Sequence, residues 1–345
     1  RLCGLERWFI SIKDGNPAIG VYHDGLIGSY ELTKNDMHIN KLNAMRLYSN
    51  NSENIFIDSN KKSLDGREII SNILPEINYE RKCKHYNPDY AHFIDYKKEE
   101  IKVNVKRGVL NTGRLDKNSI GQGVMGSMFH IMYQEYGHKL VLDRIYDIQQ
   151  ITTLFQMHKG ITISNKDIAV SKTVLSKVHD KTSSIIHEAN LITEKLNNND
   201  IIPPLGMTIN QYYEEQSLAQ LNLGDDFEQL ILENVDTEEN QLYKLITSGS
   251  KGKLTNFIQI NAAIGQTSIN GERMQKLFDY ERISPHFSRF DNSPESRGFV
   301  TESYTVGVSN TSFLFQAMQA RYSIINKALS TSVTGYQNRK SVKNM

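Results

Sequence analysis

Apolar residues recur at intervals of three and four through residues 309–339, and no proline interrupts them. This spacing predicts one long helix near the end of the chain. Roughly 30 residues at a rise of ~1.5 Å span about 45 Å, the width of a large domain. Two files of residues cover neighbouring faces, so we expect much of the helix circumference to be buried. The files are Leu314, Met318, Tyr322, Ile325, Leu329, Val333 and Tyr336, and Phe313, Ala317, Ile324, Ala328 and Thr331.

The second half of this helix contains a locally weak stretch. Residues 330–335 combine β-branched side chains, hydroxyl groups that compete for backbone hydrogen bonds, and a glycine. Together these cost roughly 3–4 kcal/mol relative to an all-alanine run. We expect any bending to concentrate there. The alternative is a core helix whose weak propensity is overridden by packing.

The rest of the chain changes its pattern near residue 125. Before that point, short β-like runs alternate with short helices and turns, and after it the pattern is helical. The β-like runs are 18–21, 54–58 and 100–105, and the predicted helices are 126–136, 140–157, 165–197, 208–221 and 224–247.

These patterns predict an α+β fold with three regions. Residues 1–160 form a mixed α/β domain, residues 161–275 a helical domain, and residues 276–345 a segment that ends in the long helix. In the middle region, the polar run Asn197–Asp200 and the pair Pro203-Pro204 separate two helices, which predicts a projecting helical hairpin. An ordinary arm of a helical bundle is the alternative.

Composition excludes several classes of protein. The chain has 40 Lys and Arg against 39 Asp and Glu, so its net charge of +1 gives no global signal for nucleic-acid binding. Two cysteines, Cys3 and Cys83, cannot form a disulfide framework, and no CxxC pair exists to hold zinc. No apolar run is long enough to span a membrane. We expect an intracellular protein with reduced thiols.

Lys251 is the residue whose chemistry is easiest to argue from the sequence. It lies in Gly249-Ser-Lys-Gly252, directly after a predicted helix. Small neighbours allow the backbone to turn sharply there and leave the lysine free to reach an anion such as a triphosphate. The motif lacks the GxxxxGK[ST] spacing of a P-loop. The alternative is a helix C-cap followed by a solvated lysine.

Several motifs resemble the largest subunit of multisubunit DNA-dependent RNA polymerases. Those near the end of the chain are similar to the segment that leads into and forms the bridge helix of that family, and the earlier ones follow in the family's order. The motifs are Gly66-Arg67, Gly206-Met-Thr208, Ser248-Gly-Ser-Lys-Gly252, Gly265-Gln266, Gly271-Glu-Arg273, Pro294-Glu-Ser-Arg-Gly-Phe-Val300, Ala317-Met318, Arg321 and Thr334-Gly-Tyr336.

The resemblance implies a pore-like domain at 1–160, a funnel-like domain at 161–275, and a cleft segment with the bridge helix at 276–345. It implies that Lys251 approaches the phosphates of the incoming nucleotide and that Gln266 belongs to the substrate site. On the bridge helix it implies that the nucleotide and the template base are contacted during translocation. The residues assigned to these contacts are Thr331 and Ser332, for which helix packing of small residues is the alternative, and Gly335 and Tyr336 are assigned to the catalytic site beside them.

The resemblance also implies partners and a cofactor. The partners are the second-largest subunit, other polymerase subunits, template DNA, nascent RNA and nucleoside triphosphates, without a membrane. In the family, Mg²⁺ is held by three aspartates in an Asn-Ala-Asp-Phe-Asp-Gly-Asp loop, and that pattern does not occur in these 345 residues. We therefore expect the Mg²⁺ ligands to lie outside this chain, and we expect the piece alone to be inactive.

Departures from the nuclear enzymes suggest a divergent, eukaryote-like source. Gln319-Ala320 and Tyr322-Ser323 flank Arg321, where those enzymes have Gly-Gly and Glu-Gly. With the abundance of Asn, Lys and Ile, this favours a large nucleocytoplasmic DNA virus over a divergent cellular lineage. The expected location is the nucleus, a viral cytoplasmic factory or the virion.

Two other function classes remain open. A non-catalytic nucleic-acid-binding scaffold would need basic tips but no neighbouring aspartate loop. A helical protein-interaction module would keep the amphipathic hairpin, but it would not require both Gly249-Ser-Lys-Gly252 and Thr334-Gly-Tyr336.

Overall fold

A computed structural model describes residues 4–344 except residues 54, 56, 59, 85, 92, 93, 95, 96 and 280. The chain divides into two compact units. The first comprises Arg1–Asp167 and Val235–Leu254, and the second comprises Ile168–Asn234 and Thr255–Met345. The chain therefore leaves the first unit, returns to it for a short segment, and leaves it again. The functional division at residues 160 and 275 stays a prediction.

Helices account for most of the regular structure. The helices are α1 (Asp24–Leu32), α2 (Lys41–Leu47), α3 (Gly66–Ser71), α4 (Lys117–Ile120), α5 (Met128–Tyr136), α6 (His138–Lys159), α7 (Asn165–Ile168), α8 (Lys172–Asn197), α9 (Ile209–Gln220), α10 (Asp225–Leu232), α11 (Gln241–Ser248), α12 (Leu254–Asn261) and α13 (Asn310–Asn344). Short 3-10 helices occur at Leu5–Arg7, Pro88–Tyr90 and Lys98–Glu100.

The strands are short and form small, separate antiparallel sheets. They are β1 (His38–Asn40), β2 (Ser63–Asp65), β3 (Tyr79–Lys82), β4 (Lys102–Lys106), β5 (Val109–Thr112), β6 (Gly265–Gln266), β7 (Ser268–Ile269), β8 (Glu272–Arg273) and β9 (Phe299–Val300). The sheets are β1-β2, β3-β4-β5, β6-β9 and β7-β8, with Tyr79 opposite Val105 and Gly265 opposite Val300. The predicted α+β class is confirmed.

Helix α1 lies in the interior of the first unit, and every residue after Asp24 is buried. Two glycines allow its close approach to α6. A Cβ atom added at Gly28 would lie 2.3 Å from the carbonyl oxygen of Thr152, and one added at Gly25 would lie 2.5 Å from the Gln149 amide nitrogen. The close packing therefore requires glycine at position 28, where the neighbour is backbone, whereas at Gly25 the neighbour is the end of the flexible Gln149 side chain.

A buried carboxylate links α1 to two further helices. Glu31 is 3% exposed. The ammonium of Lys159, in α6, pairs with its Oε2, and the ammonium of Lys244, in α11, lies 3.8 Å from its Oε1. Removing either cation would leave buried charge poorly compensated, so α1, α6 and α11 are electrostatically interdependent.

The second unit contains the predicted helical hairpin. Helices α8 and α9 are antiparallel, since Thr193 contacts Tyr213 and the earlier residue Glu188 contacts the later residue Gln220. Their apolar faces pack with the β6-β9 region around a small core of Ala189, Leu221 and Phe299. A second core surrounds the start of α13 and consists of Ile264, Met274, Ile283, Val300 and Phe315.

Two helices predicted as continuous are each broken, so the predictions for 165–197 and 224–247 were wrong. The Ser171 side chain caps a new start of α8, and the Asn240 side chain accepts a hydrogen bond from Tyr243 to start α11. Asp167 stabilises the second break, because its carbonyl accepts from Asn240 at 2.7 Å and its carboxylate accepts from the Gln241 amide at 2.8 Å.

The three predicted strands had different outcomes. The run 100–105 is confirmed over residues 102–105, which belong to β4, while Glu100 ends a 3-10 helix. The run 18–21 was wrong, because it makes only an isolated bridge between Val21 and Gly121. Within 54–58, residues 54 and 56 lie outside the described residues. A three- or four-residue apolar run does not carry enough periodicity to separate a strand from an extended segment.

The long terminal helix is confirmed and extends to Asn344 without a break. Residues 330–335 remain helical within it. Its predicted burial was wrong for this chain, because among the described residues of α13 only Phe315 is buried, and Leu329 is 64% exposed. Apolar periodicity identifies helix surface that is suited to burial, but it does not show which part of the protein packs against that surface.

We expect Gly28→Ala to destabilise α1 by about 1–3 kcal/mol, because the new methyl group would overlap the Thr152 carbonyl. Hydrogen exchange of the α1 amides in the intact subunit measures this local free energy of opening. The matched control is Gly335→Ala, where the added Cβ meets nothing within 4 Å; it should stabilise α13 by about 0.5–1 kcal/mol. Similar effects of the two changes would contradict the packing argument.

Candidate functional site

Lys251 lies on a tight turn at the end of α11. Gly249 adopts φ 78° and ψ 12°, and its N–H donates to the carbonyl of Ile246 at 3.1 Å. The Lys251 N–H donates to the carbonyl of Leu245 at 3.3 Å, and Gly252 has φ +80°. This is the left-handed helix ending that the glycines predict. The Lys251 side chain is exposed, and within the described part of the chain its ammonium has no acidic partner.

The turn requires glycine for two reasons. The positive φ of Gly249 is unfavourable for residues with a side chain. A Cβ there would also lie 2.5 Å from the Cβ of Lys117, so the turn rests directly on that side chain. The Ser250 hydroxyl then donates to the carbonyl oxygen of His23, just before α1, at 2.7 Å.

Lys84 stabilises the same end of α11. Its ammonium donates to the Ile246 carbonyl at 2.9 Å, where a cation compensates the free carbonyl groups of a helix C-terminus. Burial lowers the pKa of Lys84, and the nearby charge of Lys117 lowers it further. The turn that presents Lys251 therefore lies close to two other lysines, Lys84 and Lys117.

A buried arginine fixes the segment before α11, and the sequence analysis missed it. The guanidinium of Arg114, which is 2% exposed, pairs with Glu100 and donates to both oxygens of Glu238 at 2.9 and 3.1 Å. It also lies 4.9 Å from the centre of the Tyr30 ring. These residues have no motif spacing in the sequence, so no local signal was available to find them.

Glu238 is ionised through this network. Burial alone would raise the pKa of Glu238, but a hydrogen bond from Lys34 and the charge of Arg114 outweigh it and hold the pKa at about 2. Lys34 lies 2.8 Å from its Oε2. Ion pairs of Glu238 with Lys34 and Arg114 therefore hold the segment before α11 against the rest of the first unit.

Gln266 lies in β6 of the second unit, where its amide nitrogen is engaged in local structure. Nε2 donates to the carbonyls of Thr267 at 2.8 Å and Arg297 at 2.9 Å. Its Oε1 is buried and has no hydrogen-bond partner among the described residues. Gln266 lines a groove of about 420 Å³ together with Leu218, Asn222 and other residues.

One carboxylate in the second unit forms ion pairs with two arginines. Glu214 of α9 accepts from Arg273 at 2.8 and 3.1 Å and from Arg297 at 3.0 Å. The Arg273 guanidinium also lies 5.1 Å from the centre of the Tyr213 ring. Arg273 ends β8 and Arg297 lies two residues before β9, so Glu214 connects both ends of the loop between these strands to the helical hairpin.

The four candidate residues of α13 are on one side of an exposed helix. At about 100° per residue, Thr331, Ser332, Gly335 and Tyr336 fall within an arc of roughly 140°. The Thr331 hydroxyl donates to the Ala328 carbonyl at 2.8 Å, and the Lys340 ammonium lies 4.1 Å from the centre of the Tyr336 ring. Lys251 belongs to the first unit, whereas Gln266 and these four residues belong to the second.

The described residues do not fit a magnesium site. No group of three or more His, Cys, Asp or Glu side chains among them is arranged to hold a metal ion. Cys83 is a buried free thiol, and burial raises its pKa to about 12, while Cys3 lies outside the described residues. Nor does any helix in the described ranges have the length and apolarity needed to cross a membrane.

Comparisons with known proteins identify the family. The family "RNA polymerase Rpb1, domain 3" matches residues 8–168, and "RNA polymerase Rpb1, domain 4" matches residues 192–300. The chain is 33% identical over 351 residues to the DNA-directed RNA polymerase RPB1 homolog of African swine fever virus (strain Badajoz 1971 Vero-adapted), covering 99% of this chain and 24% of that relative. It is 28% identical over 350 residues to the DNA-directed RNA polymerase II subunit RPB1-A of Trypanosoma brucei brucei, covering 98% of this chain and 19% of that relative.

The chain thus spans about a quarter of the length of the viral relatives that it matches. The two Rpb1 domains occur in the order that the sequence motifs predict, and similarity to the viral subunit fits the predicted viral source. The chain belongs to the Rpb1 family, the largest subunits of DNA-directed RNA polymerase.

Proposed function

We propose that this chain lines the secondary channel and active site of a DNA-directed RNA polymerase. It contacts the incoming nucleoside triphosphate and supports translocation during template-directed RNA synthesis. The observation that carries the proposal is the presentation of Lys251, whose exposed ammonium follows a glycine turn on α11. Its support runs through α11 to the buried Glu31 of α1.

The chemistry of Lys251 suits a triphosphate. An ammonium on a flexible stem neutralises phosphate as a point charge, without requiring one orientation of the ligand. A phosphate contact carries no base information, so one lysine serves all four nucleotides. Its turn combines a flexible side chain with a fixed backbone, because Gly249 rests on Lys117 and Ser250 is bonded to His23.

Gln266 contributes to the substrate side in a more limited way. The Gln266 amide nitrogen already donates to two carbonyls and its Oε1 is buried, so in this conformation neither atom is placed to bind a ligand. We propose that Gln266 contributes to the substrate site by shaping the wall of its groove. The sequence resemblance alone did not distinguish this from direct binding through the amide.

The exposed side of α13 supports the proposed translocation role. Thr331 and Ser332 contact the nucleotide and template base, with Gly335 and Tyr336 on the same side of the helix. These four residues are exposed, which leaves that side of the helix available to nucleic acid and to other parts of the enzyme. Residues 330–335 are helical but weak in propensity, so bending there costs less than elsewhere in α13.

Polymerisation is proposed for the complete enzyme and not for this piece alone. Bound Mg²⁺ supplies phosphoryl-transfer chemistry, and its ligands are expected outside this chain. The proposed partners are the second-largest subunit, other polymerase subunits, template DNA, nascent RNA and nucleoside triphosphates. The proposed location is intracellular, in the nucleus, a viral cytoplasmic factory or the virion.

Lys251→Ala in the assembled polymerase should raise the KM for nucleotides about tenfold, the effect of losing one charge-assisted contact. Assembly should be retained, because the side chain is exposed. Steady-state RNA synthesis with each of the four nucleotides measures the KM. Lys139→Ala, another exposed lysine of the first unit, is the matched control. An unchanged KM for all four nucleotides in the Lys251 variant would refute the assignment.

Thr331→Leu should slow elongation severalfold with little loss of subunit stability, because the side chain is exposed and the substitution favours helix. Single-nucleotide addition rates and thermal unfolding of the intact subunit measure the two effects. Asn326→Leu is the matched control. It adds the same apolar side chain about 140° from Thr331 around the helix axis, and it should slow elongation less than Thr331→Leu does. Parallel losses of rate and stability would instead indicate simple helix packing.

A further inference from the structure

The Lys251 turn is joined to the start of α1 by a hydrogen bond between distant parts of the chain. The Ser250 hydroxyl donates to the His23 carbonyl oxygen at 2.7 Å, although the two residues are 227 positions apart in the sequence. Ser250 is partly buried and directly precedes Lys251. A hydroxyl at this position therefore acts on the backbone from which the lysine side chain emerges.

The acceptor of this bond has a fixed position. His23 precedes α1 with φ 50° and ψ −118°, a conformation that is rare for a residue with a side chain. Its carbonyl also accepts from the Leu26 amide at 3.0 Å as α1 begins. Such a conformation persists only where the surroundings determine it, and here α1 is packed against α6 through Gly25 and Gly28.

The donor side, in contrast, is flanked by flexible residues. Gly249 and Gly252 both have positive φ, and glycine has more backbone freedom to lose than any other residue. Contact of Gly249 with Lys117 restrains the first half of the turn. The Ser250 hydrogen bond restrains the second half, next to Lys251 itself.

We propose that Ser250 is a positioning residue, which orients Lys251 toward the nucleotide phosphates through its hydrogen bond to the His23 carbonyl. This inference rests on the proposed role of Lys251. Ser250 does not contact the nucleotide; it reduces the range of directions that the lysine samples before the nucleotide arrives. Pre-ordering of this kind lowers the cost of binding.

The first test is Ser250→Ala in the assembled polymerase, with ATP as the varied nucleotide. Loss of one partly exposed hydrogen bond should raise the KM about threefold while kcat stays near the wild-type value. Ser250→Thr keeps the hydroxyl and should restore the KM. Ser49→Ala is the matched control, because its exposed hydroxyl makes a local hydrogen bond to the Arg46 carbonyl at 2.8 Å.

The double variant Ser250→Ala/Lys251→Ala separates positioning from an independent contribution. If Ser250 acts through Lys251, the double variant has the KM of Lys251→Ala alone. A KM increase in the double variant equal to the product of the two single increases would overturn the inference, and so would a loss of kcat or assembly in Ser250→Ala that Ser250→Thr does not restore.

The same set of variants distinguishes failure of the inference from failure of the proposed function. A raised KM in Lys251→Ala with a wild-type KM in Ser250→Ala would overturn only the positioning role of Ser250. An unchanged KM in Lys251→Ala would overturn the phosphate contact, and the positioning role with it.

Discussion

The close contact between α1 and α6 is the constraint on which the rest of the first unit depends. It exists because Gly28 presents no side chain to the Thr152 backbone of α6. With α1 fixed in the interior, Glu31 reaches both Lys159 and Lys244, and so couples α6 and α11 to the same buried carboxylate. Helix α1 is consequently a rigid support for α11, at whose end the Lys251 turn lies.

Three sets of side chains, which come from different parts of the sequence, stabilise α11 and the turn at its end. Asp167 and Asn240 start α11 in the correct place, Arg114 and Glu238 fix the segment before it, and Lys84 compensates its last carbonyls. Most of these groups are charged and partly or fully buried, where breaking a pair is more costly than at the surface. Several buried or partly buried charged groups therefore stabilise the segment that presents the exposed Lys251.

The parts of this architecture that could be predicted from sequence are those set by local rules. The α+β class, the course of α13 and the sharp turn at Gly249 follow from periodicity and from the conformational freedom of glycine. The break before α11 could not be predicted in the same way, because Asp167 and Asn240 are brought together only by the fold. The break before α8 is marked by a local cap at Ser171, which the apolar pattern alone did not reveal. The exposure of α13 was also missed, since an apolar periodicity does not identify what covers it. Among the candidate residues, Gln266 proved to have its amide nitrogen engaged by backbone carbonyls.

The proposed contact between Lys251 and the phosphates of the incoming nucleotide can be tested directly with a structure of the assembled polymerase that contains a bound, non-reactive nucleoside triphosphate. In that structure the Lys251 ammonium should lie within about 3 Å of a phosphate oxygen, at the distance of a charge-assisted hydrogen bond. The Gly249 turn should keep the conformation described above. A triphosphate bound by other residues, with Lys251 pointing into solvent, would show that Lys251 does not make the proposed contact.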